Sequence, residues 1–483
     1  MPEPAIERRA ARMSAVATVR QVLGLPLGLA SAITVARLYL PRDLGRFAVL
    51  SFVVTLPTLV GDLGLSQAFV RQADEPPDAD MATAASLQLW IAAIALPAIL
   101  IGVHYAEPRS GAYWLGLALA LYLPTLAGAF ALRPTVLIQR RLDFARLALL
   151  DLAQQVVYIA VLLGLGLAKA GLAGLVGATT VGQVLRTAVL WHWYPGAVAA
   201  VPRLARLRDV MRSGLPLQLT GIVSGFHTGL LNWLGAPLFG PVAVGYLRWS
   251  LDMTNRLGTG LAHAIGTVVF PTIALLQEDS ARLRRVVERA VRYNLLLIGV
   301  PLALLAGLAT PVIAAIFGGR WAPATVALQL FSALAIGAAA LVPLDAAVRV
   351  VRPTTWSLGL VTACLVFEVA VVLALARPAG FLAVPLAHLA ATVTLVALLR
   401  ALMPAGARPA WPANVGLPAL ALATTFLVSR WIAGVLAPWP ALFAGCAAGT
   451  LAAAAVVFAL GQRTVWPDLM RDLRNIARTA SPA

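Results

Sequence analysis

Fourteen apolar runs recur from one end of the chain to the other, each long enough to cross the roughly 30 Å hydrocarbon core of a bilayer. They lie near residues 14–38, 46–70, 82–104, 112–132, 147–168, 171–194, 213–236, 242–270, 293–317, 323–348, 355–376, 380–400, 413–433 and 439–461. Only 12% of the residues are charged, where an average soluble domain has roughly 25%. Backbone inside lipid must satisfy its own hydrogen bonds, so runs of this length are read as helices. The expected fold is all-α and integral to the membrane, with about fourteen transmembrane helices.

The net charge of +17 comes almost wholly from arginines that sit between the apolar runs rather than in one block. That placement reads as membrane topology, and no nucleic-acid partner is expected. With the N-terminus inside, Lys and Arg number 25 on the cytoplasmic side against 8 on the other, which puts both termini in the cytoplasm. Residues 1–13, with Arg8, Arg9 and Arg12, lead into a long hydrophobic segment without a small-residue cleavage site, so they read as a cytoplasmic leader rather than a signal peptide.

The larger loops on the inner side, 133–146, 195–212 and 271–292, are rich in arginine, and every outer loop is short. Residues 281–292 place Leu283, Val286, Val287 and Ala290 on one helical face. Two readings are open: a helix lying in the interface with arginines toward lipid headgroups, or an extended cytoplasmic end of the ninth span.

Residues 37–72 carry a short turn, Leu40-Pro41-Arg42-Asp43-Leu44-Gly45, and then a span with one carboxylate in its apolar run, Asp62. An acidic side chain at the bilayer centre costs about 2.5 to 3.5 kcal/mol, so Asp62 is expected to face a partner or a water-filled cavity. The spacing Pro41-x-x-x-Gly45 returns as Pro241-x-x-x-Gly245 six spans later, each glycine followed within two residues by an aromatic, Phe47 or Tyr246. Two six-helix lobes are inferred from this, 1–200 for spans 1 to 6 and 201–404 for spans 7 to 12, with spans 13 and 14 and a cytoplasmic tail in 405–483.

The segments Leu40-Pro41-Arg42-Asp43-Leu44-Gly45-Arg46-Phe47, Asp62-Leu63-Gly64-Leu65-Ser66 and Gln139-Arg140-Arg141-Leu142-Asp143-Phe144 resemble those of bacterial polysaccharide flippases. These are the Wzx-type exporters of the multidrug/oligosaccharidyl-lipid/polysaccharide (MOP) superfamily, and the resemblance covers most of residues 14–400. It implies a two-lobed bundle around a central cavity in the bacterial inner membrane. It also implies a cargo, an undecaprenyl-pyrophosphate-linked oligosaccharide, moved from the inner to the outer leaflet by alternating access. Expected partners are that cargo, bilayer lipids and other proteins of polysaccharide export and polymerisation. The first inner loop, with Asp74, Glu75, Asp78 and Asp80, departs from the cationic lining that such a cargo favours, so no binding residue is placed there.

A pyrophosphate at mid-depth must be matched by fixed positive charge, and arginine supplies it permanently and in bidentate form. Arg20, Arg186, Arg248 and Arg256 lie inside spans. Arg248, Asp252 and Arg256 follow one another at i, i+4 and i+8 on span 8 with Asn255 beside them, a net-positive stripe. At about 1.5 Å per residue, the stripe reaches from roughly 9 to roughly 21 Å into the span. The competing reading is a structural contact in which Asp252 neutralises its neighbours. Arg20 is either a cargo ligand or a snorkelling residue, and Arg186 reads as snorkelling. His227 and Asn232 are candidates for sugar hydroxyls. Asp62 and Glu368 read either as ion-coupling groups or as ion-pair partners, Asp62 with Arg20 or Arg256.

The five histidines show no metal-ligand spacing, and Cys364 and Cys446 each sit in an apolar run, so neither a metal site nor a disulfide is expected. No Gly-x-x-x-x-Gly-Lys-Ser/Thr motif is present, and the single lysine, Lys169, lies in a short outer loop. The chain is expected to need no cofactor and not to be an enzyme. Two other functions stand beside the flippase: an ion-coupled small-molecule exporter of the same fold, disfavoured by the arginines at mid-span, and a membrane glycan polymerase or ligase, disfavoured by the short outer loops.

Overall fold

A computed structural model of the chain describes residues 23–72, 74–106, 111–141, 143–199, 203–274, 279–351 and 355–461. Among them the regular structure is helical. In chain order the helices are α1 (Leu23–Leu38), α2 (Pro41–Gly61), α3 (Leu65–Arg71), α4 (Asp78–Ala106), α5 (Gly111–Arg141), α6 (Phe144–Leu167), α7 (Leu172–Trp193), α8 (Leu204–Thr228) and α9 (Leu230–Trp233). They continue with α10 (Gly235–Ala274), α11 (Ser280–Leu297), α12 (Gly299–Gly307), α13 (Ala309–Val312), α14 (Thr325–Val351), α15 (Thr355–Ala379), α16 (Ala383–Leu402), α17 (Trp411–Val435) and α18 (Pro438–Leu460).

Over the described residues, every one of the fourteen apolar runs is occupied by helix. Ten helical stretches among the described residues are long and apolar enough to cross a membrane, one of them holding both α15 and α16; α1, α8 and α10 complete the set. Large apolar side chains point outward along these helices, among them Ile94, Leu149, Val366, Trp431 and Phe443, each at least 64% exposed. A water-soluble surface does not carry such a belt, whereas lipid solvates it. The chain is a multi-pass membrane protein.

The helices gather into two compact units. The first comprises Met1–Trp249 with Thr354–Val384, and within it α4 to α7 pack side by side while α15 lies along α8. Its core includes Leu50, Val54, Trp114, Leu121 and Tyr122, and the Tyr122 hydroxyl donates to the Ala92 carbonyl at 2.6 Å. The second unit comprises Ser250–Pro353 with Pro385–Ala483, where α12 packs against α14 and α17, and α17 against α18.

Of the two readings of residues 281–292, the structure takes the second. They form the first turns of α11, which heads the ninth span, and Leu283, Val287 and Ala290 are buried where α11 packs on α14 and α17. Polar contacts hold that face in the protein: Glu288 accepts the Ala410 N–H at 2.8 Å, and the buried Arg292 donates to Asn414 Oδ1 at 2.5 Å. Arg282, Arg284 and Arg285 stay exposed.

The acidic first inner loop is also explained. Arg133 pairs with Asp78 at 3.0 Å and Arg141 with Glu75 at 3.4 Å, so two of the carboxylates of residues 74–80 match arginines of the next arginine-rich segment. The Gln139 to Phe144 motif works in the same place. Arg140 donates to the carbonyls of Phe69, Val70 and Gln72 at 2.9, 3.3 and 2.7 Å, capping the C-terminus of α3. Asp143 caps the start of α6 by accepting the Arg146 N–H.

Candidate functional site

Span 2 is broken at its carboxylate, where the sequence reads as one continuous helix. α2 ends at Gly61 with Asp62 as its cap; Leu63 (φ 48°) and Gly64 (φ 73°) turn left-handed, and α3 starts at Leu65. A leucine in that region costs roughly 1 to 2 kcal/mol, so the surroundings must hold it there. Gln218 of α8, almost fully buried, does so from both sides of the break. Its Oε1 accepts the Gly64 N–H at 2.9 Å, and its Nε2 donates to the Leu59 carbonyl, one of those that the broken helix leaves open. Sequence reading passes over Gln218; its one sign there is a lone amide inside an apolar run.

The break aims Asp62 into a cavity. Its Oδ1 accepts from Ser66 Oγ at 2.5 Å and from Gln88 Nε2 at 2.8 Å. Within its own unit, among the described residues, no cation pairs with it. Thr58, Thr125 and Thr135 share the lining with apolar residues, and the cavity holds about 240 Å³. Drug-sized ligands occupy roughly 300 to 1,000 Å³, so this volume suits water or an ion rather than a cargo.

The arginine stripe lies on α10, a helix kinked at Gly240 (φ 80°). One face of the helix is buried through Val244, Leu247, Met253 and Thr254. Arg248, Asp252 and Arg256 fall between these positions and are half-buried, and Asn255 is exposed. The Nε of Arg256 is shut off from solvent and has no hydrogen-bond partner among the described residues. Arg186, by contrast, pairs with Asp151 of the neighbouring α6 at 3.4 Å, so its charge is spent inside the first unit. Arg20 lies outside the described residues.

His227 and Glu368, assigned to separate roles on sequence grounds, meet. His227 Nδ1 lies 2.9 Å from Glu368 Oε2, and the Glu368 side chain is 2% exposed. Cys364, one helical turn before Glu368 on α15, joins them: one ligand atom from each of the three residues lies within 4.8 Å of the others. Asn232, in the short α9, is 6% exposed, and its Oδ1 has no hydrogen-bond partner among the described residues.

A family model described as "Polysaccharide biosynthesis protein" matches residues 34–326, more than half of the chain and all of the broken span and the arginine stripe. The chain belongs to this family. Among solved structures, the lipid II flippase MurJ in an inward closed conformation is similar over 95% of this chain and 100% of its own, with 14% identity and a TM-score of 0.71. A multidrug resistance MATE family transporter of the MOP superfamily, inward-facing, is similar over 79% of this chain and 94% of its own, with 17% identity and a TM-score of 0.58. A MOP superfamily transporter from Pyrococcus furiosus follows at 16% identity and a TM-score of 0.53, over 81% and 95% of the two chains. No curated protein matches the sequence. The polysaccharide biosynthesis family and the MOP fold agree with the flippase resemblance carried by the motifs of residues 40–47, 62–66 and 139–144.

Proposed function

We propose that the protein moves an oligosaccharide linked to a polyprenyl pyrophosphate from the inner to the outer leaflet of the bacterial inner membrane by alternating access, with both termini in the cytoplasm. The observation that carries this reading is the half-buried face of α10, where two arginines flank one carboxylate and Arg256 keeps a buried Nε without a hydrogen-bond partner among the described residues. A buried guanidinium donor left unpaired is costly unless an anion completes it. Phosphate oxygens do so in the bidentate geometry that arginine prefers. Membership of a polysaccharide biosynthesis family supports the glycan part of the cargo.

In this reading Arg248 and Arg256 hold the pyrophosphate, Asp252 sets their spacing, and Asn255 meets the sugar. Arg20 remains a candidate cargo ligand. The chain acts as a translocator and breaks no bond of its cargo. The decisive experiment is depletion of the protein in its host, followed by leaflet-specific labelling of lipid-linked repeat units. Accumulation in the inner leaflet is expected; unchanged export with no paralogue present would overturn the reading.

One observation favours the exporter alternative. The Asp62 cavity is lined by one carboxylate and neutral groups, a setting that takes a small cation. A volume of this size suits an ion better than a cargo, and we propose Asp62 as a coupling group of the flippase.

A further inference from the structure

We propose that His227, Cys364 and Glu368 form a site for one divalent transition-metal ion of the zinc class, tying span 7 to span 11. The Glu368 carboxylate, 2% exposed among membrane helices, needs a compensating charge. The approach of His227 Nδ1 to Glu368 Oε2 at 2.9 Å is close, yet the Glu368 oxygen accepts no hydrogen bond of proper alignment. One ligand atom from each of His227, Cys364 and Glu368 is near enough to share a single ion. Oxygen and nitrogen ligands at about 2.0 to 2.2 Å from one tetrahedral ion lie roughly 3.3 to 3.6 Å apart, so the pair opens by about half an ångström around the ion.

Cys364 makes the set specific. It stands at i−4 from Glu368, so both side chains leave the same face of α15, against which α8 brings His227. Magnesium, calcium and sodium favour oxygen donors alone, whereas one imidazole nitrogen, one sulfur and one carboxylate oxygen match zinc or cobalt. Charge balance points the same way. A dication with one thiolate and one carboxylate is neutral overall, which removes the cost of the buried Glu368. Three protein ligands leave the fourth position of a tetrahedral ion to solvent.

The test uses the full chain, purified in detergent and stripped with a chelator, then titrated with cobalt(II). Bound cobalt is expected to show a thiolate-to-cobalt charge-transfer band in the near ultraviolet and the visible bands of a tetrahedral ion, and zinc should displace it. Cys364→Ser should abolish the charge-transfer band, whereas Cys446→Ser, at an exposed position on α18, should leave it unchanged. His227→Gln and Glu368→Gln should each weaken zinc binding at least about tenfold, measured by competition with a chromophoric chelator. Zinc should raise the melting temperature of the wild type and not that of His227→Gln, a readout that remains if Cys364→Ser folds poorly. A wild-type chain that gives no charge-transfer band, or a band that survives Cys364→Ser, overturns the site and leaves an ordinary buried His–Glu pair. Equal zinc affinity in wild type and Glu368→Gln overturns it as well.

Discussion

Gly45 and Gly245 meet backbone to backbone, and the contact is reciprocal. A Cβ added to Gly45 would overlap the carbonyl of Pro241, and one added to Gly245 would overlap the carbonyl of Pro41. The two Pro-x-x-x-Gly segments that look like a distant repeat in sequence thus touch each other in space, each lending the carbonyl that covers the other's glycine. Gly45→Ala and Gly245→Ala are each expected to lower stability by about 1 to 3 kcal/mol, the usual penalty of overpacking a close contact. The double variant should cost less than the sum, because one separation of the two helices relieves both clashes. Thermal unfolding of the four purified proteins checks this; strict additivity would show that the two clashes are independent.

Arg140 and Arg133 look alike in sequence, but their partners give them different weights. Arg140 donates to three main-chain carbonyls at the end of α3, whereas Arg133 donates to one, that of Pro195, and to Asp78, whose side chain is 75% exposed. Arg140→Ala is expected to cost about 2 kcal/mol, since several carbonyls lose a charged donor at once. Asp78→Asn should stay within about 0.5 kcal/mol, as an exposed ion pair does. Unfolding midpoints of the two variants separate these cases.

The spans were legible because each apolar run is long enough on its own to force a helix in lipid, and the family was legible in three short segments. What escaped sequence reading is non-local. Nothing in the local pattern shows that Gln218 reaches back to Leu59 and Gly64, or that His227 meets a carboxylate on the eleventh span. The break after Asp62 was nearer to hand: glycine at 64 permits the left-handed turn, but the apolar run continuing to Val70 hides it. Residues 281–292 show the reverse case, a face whose amphipathic pattern fits lipid headgroups or neighbouring helices equally well until α14 and α17 are seen to cover it.

Asp62 accepts two hydrogen bonds, from Ser66 and Gln88, beside a cavity large enough for an ion. Asp62→Asn keeps the shape and can still accept both bonds, so expression and melting temperature are expected to stay close to those of the wild type. Export should fall by an order of magnitude or more if the charge couples transport. Leaflet-resolved labelling in cells that depend on the variant measures it, and wild-type export in Asp62→Asn would reduce the residue to a packing role.

The face of α10 makes the sharpest demand. If Arg248 and Arg256 grip a pyrophosphate, Arg248→Ala and Arg256→Ala should each abolish export while the protein still reaches the membrane. Losing Arg256 should not unfold the chain, because its buried Nε has no protein partner to forfeit among the described residues. Lysine at either position restores the charge but not the planar fork, so Arg→Lys is expected to recover only part of the activity. Asp252→Asn tests the opposite sign: it makes the stripe more positive, so cargo should bind more tightly and leave more slowly, with export reduced rather than lost. Export assays beside membrane-fraction immunoblots distinguish these outcomes, and wild-type export in both alanine variants would remove the stripe from the mechanism.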